Sequence, residues 1–291
     1  DYFILDANDS FRLQIEAMKP LASQKGLGTT KWLLPSRYAA KVEGLGDIAA
    51  RKKKLDELNL TDNTVFVFTS DNGGLHVPEG GHKRVTHNSP FRAGKGYTYE
   101  GGQRVPLIVR WPGRIPEGRV IDTPMSNIDW VPTLMELAGA PVPEELDGIS
   151  FAEGLLGGDI AERPLYWHFP HYTNQGSRPT GAMRDGEWLL IERYDTDQVE
   201  LYNLSTDVGE RDDLSDQEPE KKTEMLAALD AWRQELDVQY NRPNPDCDED
   251  GFKRCYLDFD PGSFDPANAD DVEWECIAEW RRQMNGAKPL V

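Results

Sequence analysis

TVFVFTSDNGG, residues 64–74, is the stretch on which the fold turns. Val65, Phe66, Val67 and Phe68 form a continuous β-branched and aromatic run, the pattern of a strand covered on both faces. Upstream, Ala39, Val42, Leu45, Ile48, Leu55 and Leu58 recur at helical spacing, which predicts a helix over 38–60. Helix followed by buried strand predicts an α/β layer with parallel strand pairing. Ligands of open α/β sheets sit beyond the carboxyl ends of strands, and Asp71-Asn72 stands at such an end. A carboxylate and an amide carbonyl are hard oxygen donors, suited to Ca²⁺ and, as second choice, Mg²⁺. Gly73 and Gly74 let the backbone turn sharply and approach a ligand closely. The plain alternative is an Asn-Gly turn after a core strand, which needs no metal.

Working outward, the 291 residues hold 51 acidic and 32 basic side chains, a formal net charge of -19. Such a balance argues against a nucleic-acid surface or an anionic membrane as partner. No apolar run approaches the roughly 20 residues of a membrane span. Cys247, Cys255 and Cys276 include no C-x-x-C pair, fitting neither a disulfide framework nor a zinc site, although one disulfide among them stays open. The chain begins at Asp1, not at methionine, so an export signal cannot be read from it.

Downstream, residues 73–104 are rich in glycine and lack periodicity, as a functional or disordered loop would. Residues 105–111 predict the next strand, and Asp129 through Leu137 a helix stopped by Gly139. Beyond about residue 165, Glu187–Ile191 and Val199–Tyr202 read as antiparallel strands around a turn at 194–197. Pro219 opens a long helix with Met225, Leu226, Leu229, Trp232 and Leu236 on one face, and a last amphipathic helix is expected near 271–283. His76, His82 and His87 fit no common zinc spacing. DCDEDG, residues 246–251, matches half of a calcium loop, but position twelve falls on Leu257, so a solvated acidic tail is the simpler reading.

NSPFRAGKGYTYEGGQRVP, residues 88–106, places Lys95 between Gly94 and Gly96, with Arg92 and Arg104 close in sequence. An ammonium in so open a backbone suits a tetrahedral anion, and an exposed mobile lysine is the alternative. Taken with TSDNGG, this stretch resembles the second half of the sulfatase catalytic domain, in the alkaline-phosphatase-like superfamily. The resemblance runs on through PLIVRWPGRI, IDWVPTLMELAGAPVP, LDGIS, PLYWHFPHY, GAMRDGEWLLIE and VELYNLSTDVGERDDLS, covering roughly residues 38–240.

The resemblance implies an α/β alkaline-phosphatase-like sandwich, present in part, over 1–165. A smaller α+β subdomain of antiparallel strands and a helix follows over 166–241, then an acidic tail with a terminal helix over 242–291. It implies that Asp71 and Asn72 ligate an active-site calcium and that Lys95 contacts the sulfate and offsets charge on the leaving oxygen. Glu100, Gly101, Gly102 and Arg104 match E-G-G-x-R, with a salt-bridged structural role. Arg92, His168 and His171 are candidates for binding substrate, the histidines being equally plausible as core residues. The expected reaction is hydrolysis of a sulfate ester, from a small molecule or, in preference, a glycan, by a periplasmic or secreted protein. A formylglycine nucleophile is expected upstream of Asp1, because no cysteine here sits in C/S-x-P/A-x-R and Leu33 precedes Pro35-Ser36-Arg37 where the nucleophile should stand. The 291 residues alone are therefore expected not to catalyse. A phosphoester hydrolase of the same superfamily would show Asp-His where this chain has Asp71-Asn72, and a non-catalytic binder of sulfated glycans is the further alternative.

Overall fold

The computed structural model describes residues 2–4, 31–33, 48–79 and 85–286. It divides into two units, each discontinuous in sequence. The first holds Asp1–Asp71 and Pro106–Glu162, and the second Asn72–Val105 and Arg163–Val291.

In the first unit, β1 (Tyr2–Ile4) pairs in parallel with β2 (Lys31–Leu33). Of the helix expected over 38–60, α1 (Ile48–Glu57) is seen, and residues 34–47 lie outside the described residues. β3 (Phe66–Thr69) and β4 (Leu107–Arg110) pair antiparallel, with Val67 opposite Val109 and Phe68 opposite Ile108. The expected parallel pairing is thus corrected: an apolar run reports which faces are covered, not the direction of the neighbour. Covering on both faces is corrected too. Val67 and Val109 pack on Trp130 and Leu134 of α3 (Trp130–Leu137), whereas Phe68 and Ile108 are 41% and 59% exposed. Asp129 starts α3 from a fully buried position, its carboxylate accepting from the backbone of Ser126 at 2.7 Å and of Ile149 at 2.9 Å.

The second unit is built on a four-stranded antiparallel meander: β5 (Leu165–Phe169), β6 (Thr180–Asp185), β7 (Trp188–Arg193) and β8 (Gln198–Asn203). The run Leu189-Leu190-Ile191 is continuous because both faces are covered, and side chains alternate between them. Leu189 and Ile191 join Ala182 and Tyr202 against Ala93, Tyr97 and Tyr99. Leu190, Met183 and Leu201 pack on Met225 and Leu229 of α4 (Pro219–Glu235). Leu236, placed on that helix face by its spacing, lies past the helix end and is exposed.

The acidic stretch 246–250, read as solvated, is exposed throughout, and the chain beyond it packs. Phe264, with Ile277 and Trp280 of α5 (Asp271–Gly286), forms a buried cluster with Val77, and Trp280 Nε1 donates to the Cys255 carbonyl at 2.9 Å. Acidic residues here cap turns: Asp248 accepts from Gly251 N and Asp260 from Gly262 N, both at 3.0 Å. Cys247, Cys255 and Cys276 are all free thiols.

Candidate active site

The chain leaving β3 enters a backbone weave with residues 86–102. Gly73 N donates to Gly102 O at 2.9 Å, Lys95 N to Gly74 O at 3.2 Å, and Gly101 N to Arg92 O at 2.9 Å. Asn88 staples the weave, since its Oδ1 accepts from Gly74 N at 2.8 Å. Its Nδ2 donates to Gly74 O at 2.9 Å and to Ala93 O at 2.8 Å. A Cβ on Gly73 would stand 1.7 Å from Gly101 O, so the double glycine exists first for this backbone-on-backbone approach.

The weave brings Asn72 and Lys95 onto one scaffold. Asn72 Nδ2 donates to Gly73 O at 2.8 Å. From Ala93 to Gly102 every residue is buried except the half-buried Gly96 and the exposed Lys95. Gly96 has φ of +93°, which an L side chain rarely adopts, and packs at Thr173 and Gln175. Lys95 is therefore held by its main chain, while its ammonium has no hydrogen-bond or ion-pair partner among the described residues. Asp71, the residue before Asn72, is exposed. Among the described residues no group of three or more His, Cys, Asp and Glu side chains gathers as a metal cluster.

The other candidates are placed differently. Arg92 turns inward: Nη1 donates to the Tyr202 hydroxyl at 3.1 Å and to Glu210 O at 3.0 Å, and Nη2 to Asp260 at 3.1 Å. It also lines a cavity of about 210 Å³ with Phe91, Glu210 and Asp265. His168 has both ring nitrogens engaged, Nδ1 with the Tyr194 hydroxyl at 2.8 Å and Nε2 with Gln239 O at 2.9 Å. His171 is exposed, its ring edge-on to Phe169. His76 is buried, with Nε2 3.1 Å from Pro261 O, and burial pushes its pKa down to about 4. His82 lies outside the described residues and His87 is exposed.

Glu100, at the start of α2 (Glu100–Gln103), has the salt-bridged role expected, to Arg184 at 3.2 Å and Arg104 at 3.4 Å. Sequence reasoning missed the groups that hold this loop from the C-terminal sheet and from the turn that follows it. Glu210 is fully buried and accepts from Glu100 N through both oxygens, at 3.0 and 3.1 Å. Burial, with the Glu100 carboxylate nearby, pushes its pKa up to about 8 against the opposing hydrogen bond from Glu100 N. Glu200 bonds Tyr99, Tyr202 and Arg193. No local sequence signal pointed to Glu200 or Glu210, since their partners in the loop lie 101 and 110 positions away.

Comparison with known proteins gives this geometry a lineage. Residues 93–238 match the family described as N-sulphoglucosamine sulphohydrolase, C-terminal. A sulfatase of Formosa agariphila is 38% identical over 224 residues, 67% of this chain and 39% of its own length. The dog (Canis lupus familiaris) N-acetylgalactosamine-6-sulfatase is 34% identical over 172 residues, 57% of this chain and 31% of its own. The chain thus spans well under half the length of these relatives. Among solved structures, a protein in complex with its substrate D-glucosamine-2-N,6-O-disulfate aligns at TM-score 0.54 and 26% identity, over 65% of this chain and 39% of that one. A protein crystallised with k-i-k-neocarrahexaose aligns over 95% of this chain and 61% of that one, at TM-score 0.56 and 22% identity. The shared fold is the α/β, alkaline-phosphatase-like one. By its matched residues and its relatives, this chain is a member of the sulfatase family, corresponding to the C-terminal part of its relatives.

Proposed function

We propose that the protein takes part in hydrolysing the sulfate ester of a sulfated sugar, with Lys95 contacting the sulfate and Asp71 and Asn72 holding Ca²⁺. The observation that carries the reading is the single exposed ammonium in an otherwise buried, backbone-locked loop. A cation whose backbone is fixed and whose ammonium is free of protein partners is available to an anion, the arrangement electrostatic catalysis calls for. Sulfated carbohydrate as substrate class is supported by a dog relative named for N-acetylgalactosamine 6-sulfate and by a structural neighbour bound to a disulfated glucosamine.

The donor chemistry at residues 71–72 fits calcium: a carboxylate and an amide oxygen are hard ligands, and no thiol or imidazole joins them in sequence. Two residues are a minority of the six to eight oxygens calcium takes, so further ligands come from elsewhere. Bound there, the ion would add Lewis-acid stabilisation of charge on the sulfate oxygens. Asn72 is oriented by its own bond to Gly73 O, and Lys95 by its N–H to Gly74 O, so both answer to one rigid segment. None of the three cysteines lies in a nucleophile-forming context, and the 291 residues by themselves are expected not to turn over a sulfate ester.

The test uses a preparation of the protein that cleaves an aryl or sugar sulfate, with calorimetry of Ca²⁺ alongside. Lys95→Ala is expected to lower kcat at least a hundredfold with Ca²⁺ affinity retained, and Asp71→Ala to lower both. Equal calcium affinity in wild type and Asp71→Ala would overturn the ligand assignment. Robust aryl sulfate turnover by the 291 residues alone would overturn the claim that the nucleophile lies outside them.

A further inference from the structure

Glu200, on β8, grips both ends of the loop that carries Lys95. Its Oε2 accepts from the Tyr99 hydroxyl at 2.6 Å and from the Tyr202 hydroxyl at 2.8 Å, and its Oε1 accepts from Arg193 Nε at 2.7 Å. The proton accounting closes. The Tyr99 hydroxyl donates to Glu200 and accepts from Arg193 Nη2 at 2.7 Å. The Tyr202 hydroxyl donates to Glu200 and accepts from Arg92 Nη1 at 3.1 Å. The Arg92 guanidinium also lies over the Tyr99 ring, 4.1 Å from its centroid. Arg92 and Tyr99 stand three residues before and four after Lys95, and Gly101 N donates to Arg92 O, closing the loop between them.

We infer that Glu200 is a positioning residue for Lys95, acting through Tyr99 and Arg92 from the floor of the C-terminal sheet. This rests on the reading of Lys95 as the sulfate contact, and gives the small domain a part in the chemistry beyond support. The carboxylate stays ionised. Burial works to raise its pKa, but Arg193, the two hydroxyls and Arg92 outweigh burial and hold it below the ordinary value. Charge also balances, with Arg92 and Arg193 facing Glu200 and Asp260. Removing the one carboxylate that several donors share leaves buried groups unsatisfied and frees the loop ends, and a displacement of about 1 Å at a reacting group can cost on the order of a hundredfold in rate.

The test is Glu200→Gln, in which an NH₂ faces a donor wherever it is turned. In a preparation that hydrolyses a sulfate ester, kcat is expected to fall at least tenfold with KM changed less than threefold. In a Lys95→Ala background the same substitution is expected to add nothing, because its effect passes through Lys95. Additive losses would show a general structural role and overturn the inference. Hydrogen exchange in the full chain reads the same claim without activity. The amides of Lys95 and Gly101 should exchange faster in Glu200→Gln, with β6 and β7 protection unchanged; unchanged exchange at Lys95 overturns the positioning role. Tyr202→Phe, which removes the hydroxyl between Glu200 and Arg92 but leaves the bonds from Tyr99 and Arg193, should shift both readouts in the same direction by less. If wild type hydrolyses no sulfate ester, the catalytic reading fails by itself, and exchange still decides whether Glu200 holds the loop.

Discussion

Glu210 shows what one buried carboxyl can do to the pH behaviour of the protein. Its folded pKa of about 8 stands above the ordinary value, because burial and the Glu100 carboxylate outweigh the Glu100 N–H and Arg92. Folding therefore favours its protonated form. Its contribution is full below the ordinary glutamate range and is lost as pH rises toward and through about 8, each pH unit in that window removing on the order of 1 kcal/mol. Across that window the wild-type melting temperature is expected to fall, and Glu210→Gln to flatten the profile and melt higher at about pH 8.5. Identical slopes in the two proteins would show that Glu210 is charged at neutrality. Lys95 was legible in the sequence as a lone cation between glycines. Glu200 and Glu210 were not, because a carboxylate's partners 101 and 110 positions away leave no local trace.

Elements whose burial is periodic were read correctly and those built by backbone contact were not. β7, β8, α3, α4 and α5 appear where strand composition, caps and helical spacing placed them, since each is ordered by the packing of its side chains. The loop over 86–102 looked unstructured because its order comes from main-chain bonds and from glycines, which carry no hydropathy signal. The antiparallel direction of β3 and β4 was equally invisible, since an apolar run is the same read either way. Glycine substitutions separate the two kinds of order. A Cβ on Gly101 would lie 2.2 Å from Arg92 O and 2.5 Å from Ala93 O, so Gly101→Ala must displace backbone. Gly113, at φ of +70° with open space around it, presents only conformational strain, about 1 kcal/mol on substitution. Denaturant titration should find Gly101→Ala costing several kcal/mol more than Gly113→Ala. Similar values would mean that the weave yields easily.

At the scale of the molecule, the second unit is closed by residues 255–286, including the terminal helix expected from the sequence. Val77 packs with Phe264, Ile277 and Trp280, while the buried Tyr97 hydroxyl donates to Gln175 O, in the turn against which Trp280 and Pro261 lie. Ending the chain at residue 241 should therefore lower the melting temperature and raise hydrogen exchange from Leu75 to Tyr99, residues far away in sequence. A truncated protein with unchanged exchange there would show the segment to be dispensable. The bond from His76 to Pro261 spans 185 positions. On the ribosome, the lysine loop emerges long before Glu200, Glu210 and Trp280 exist to receive it, and contacts so distant close late. The order of synthesis thus works as a check: a chain broken off before β8 carries Lys95 and its backbone weave but lacks the Glu200 and Glu210 carboxylates that fasten the loop, so the lysine is fully held only after the small domain has been made.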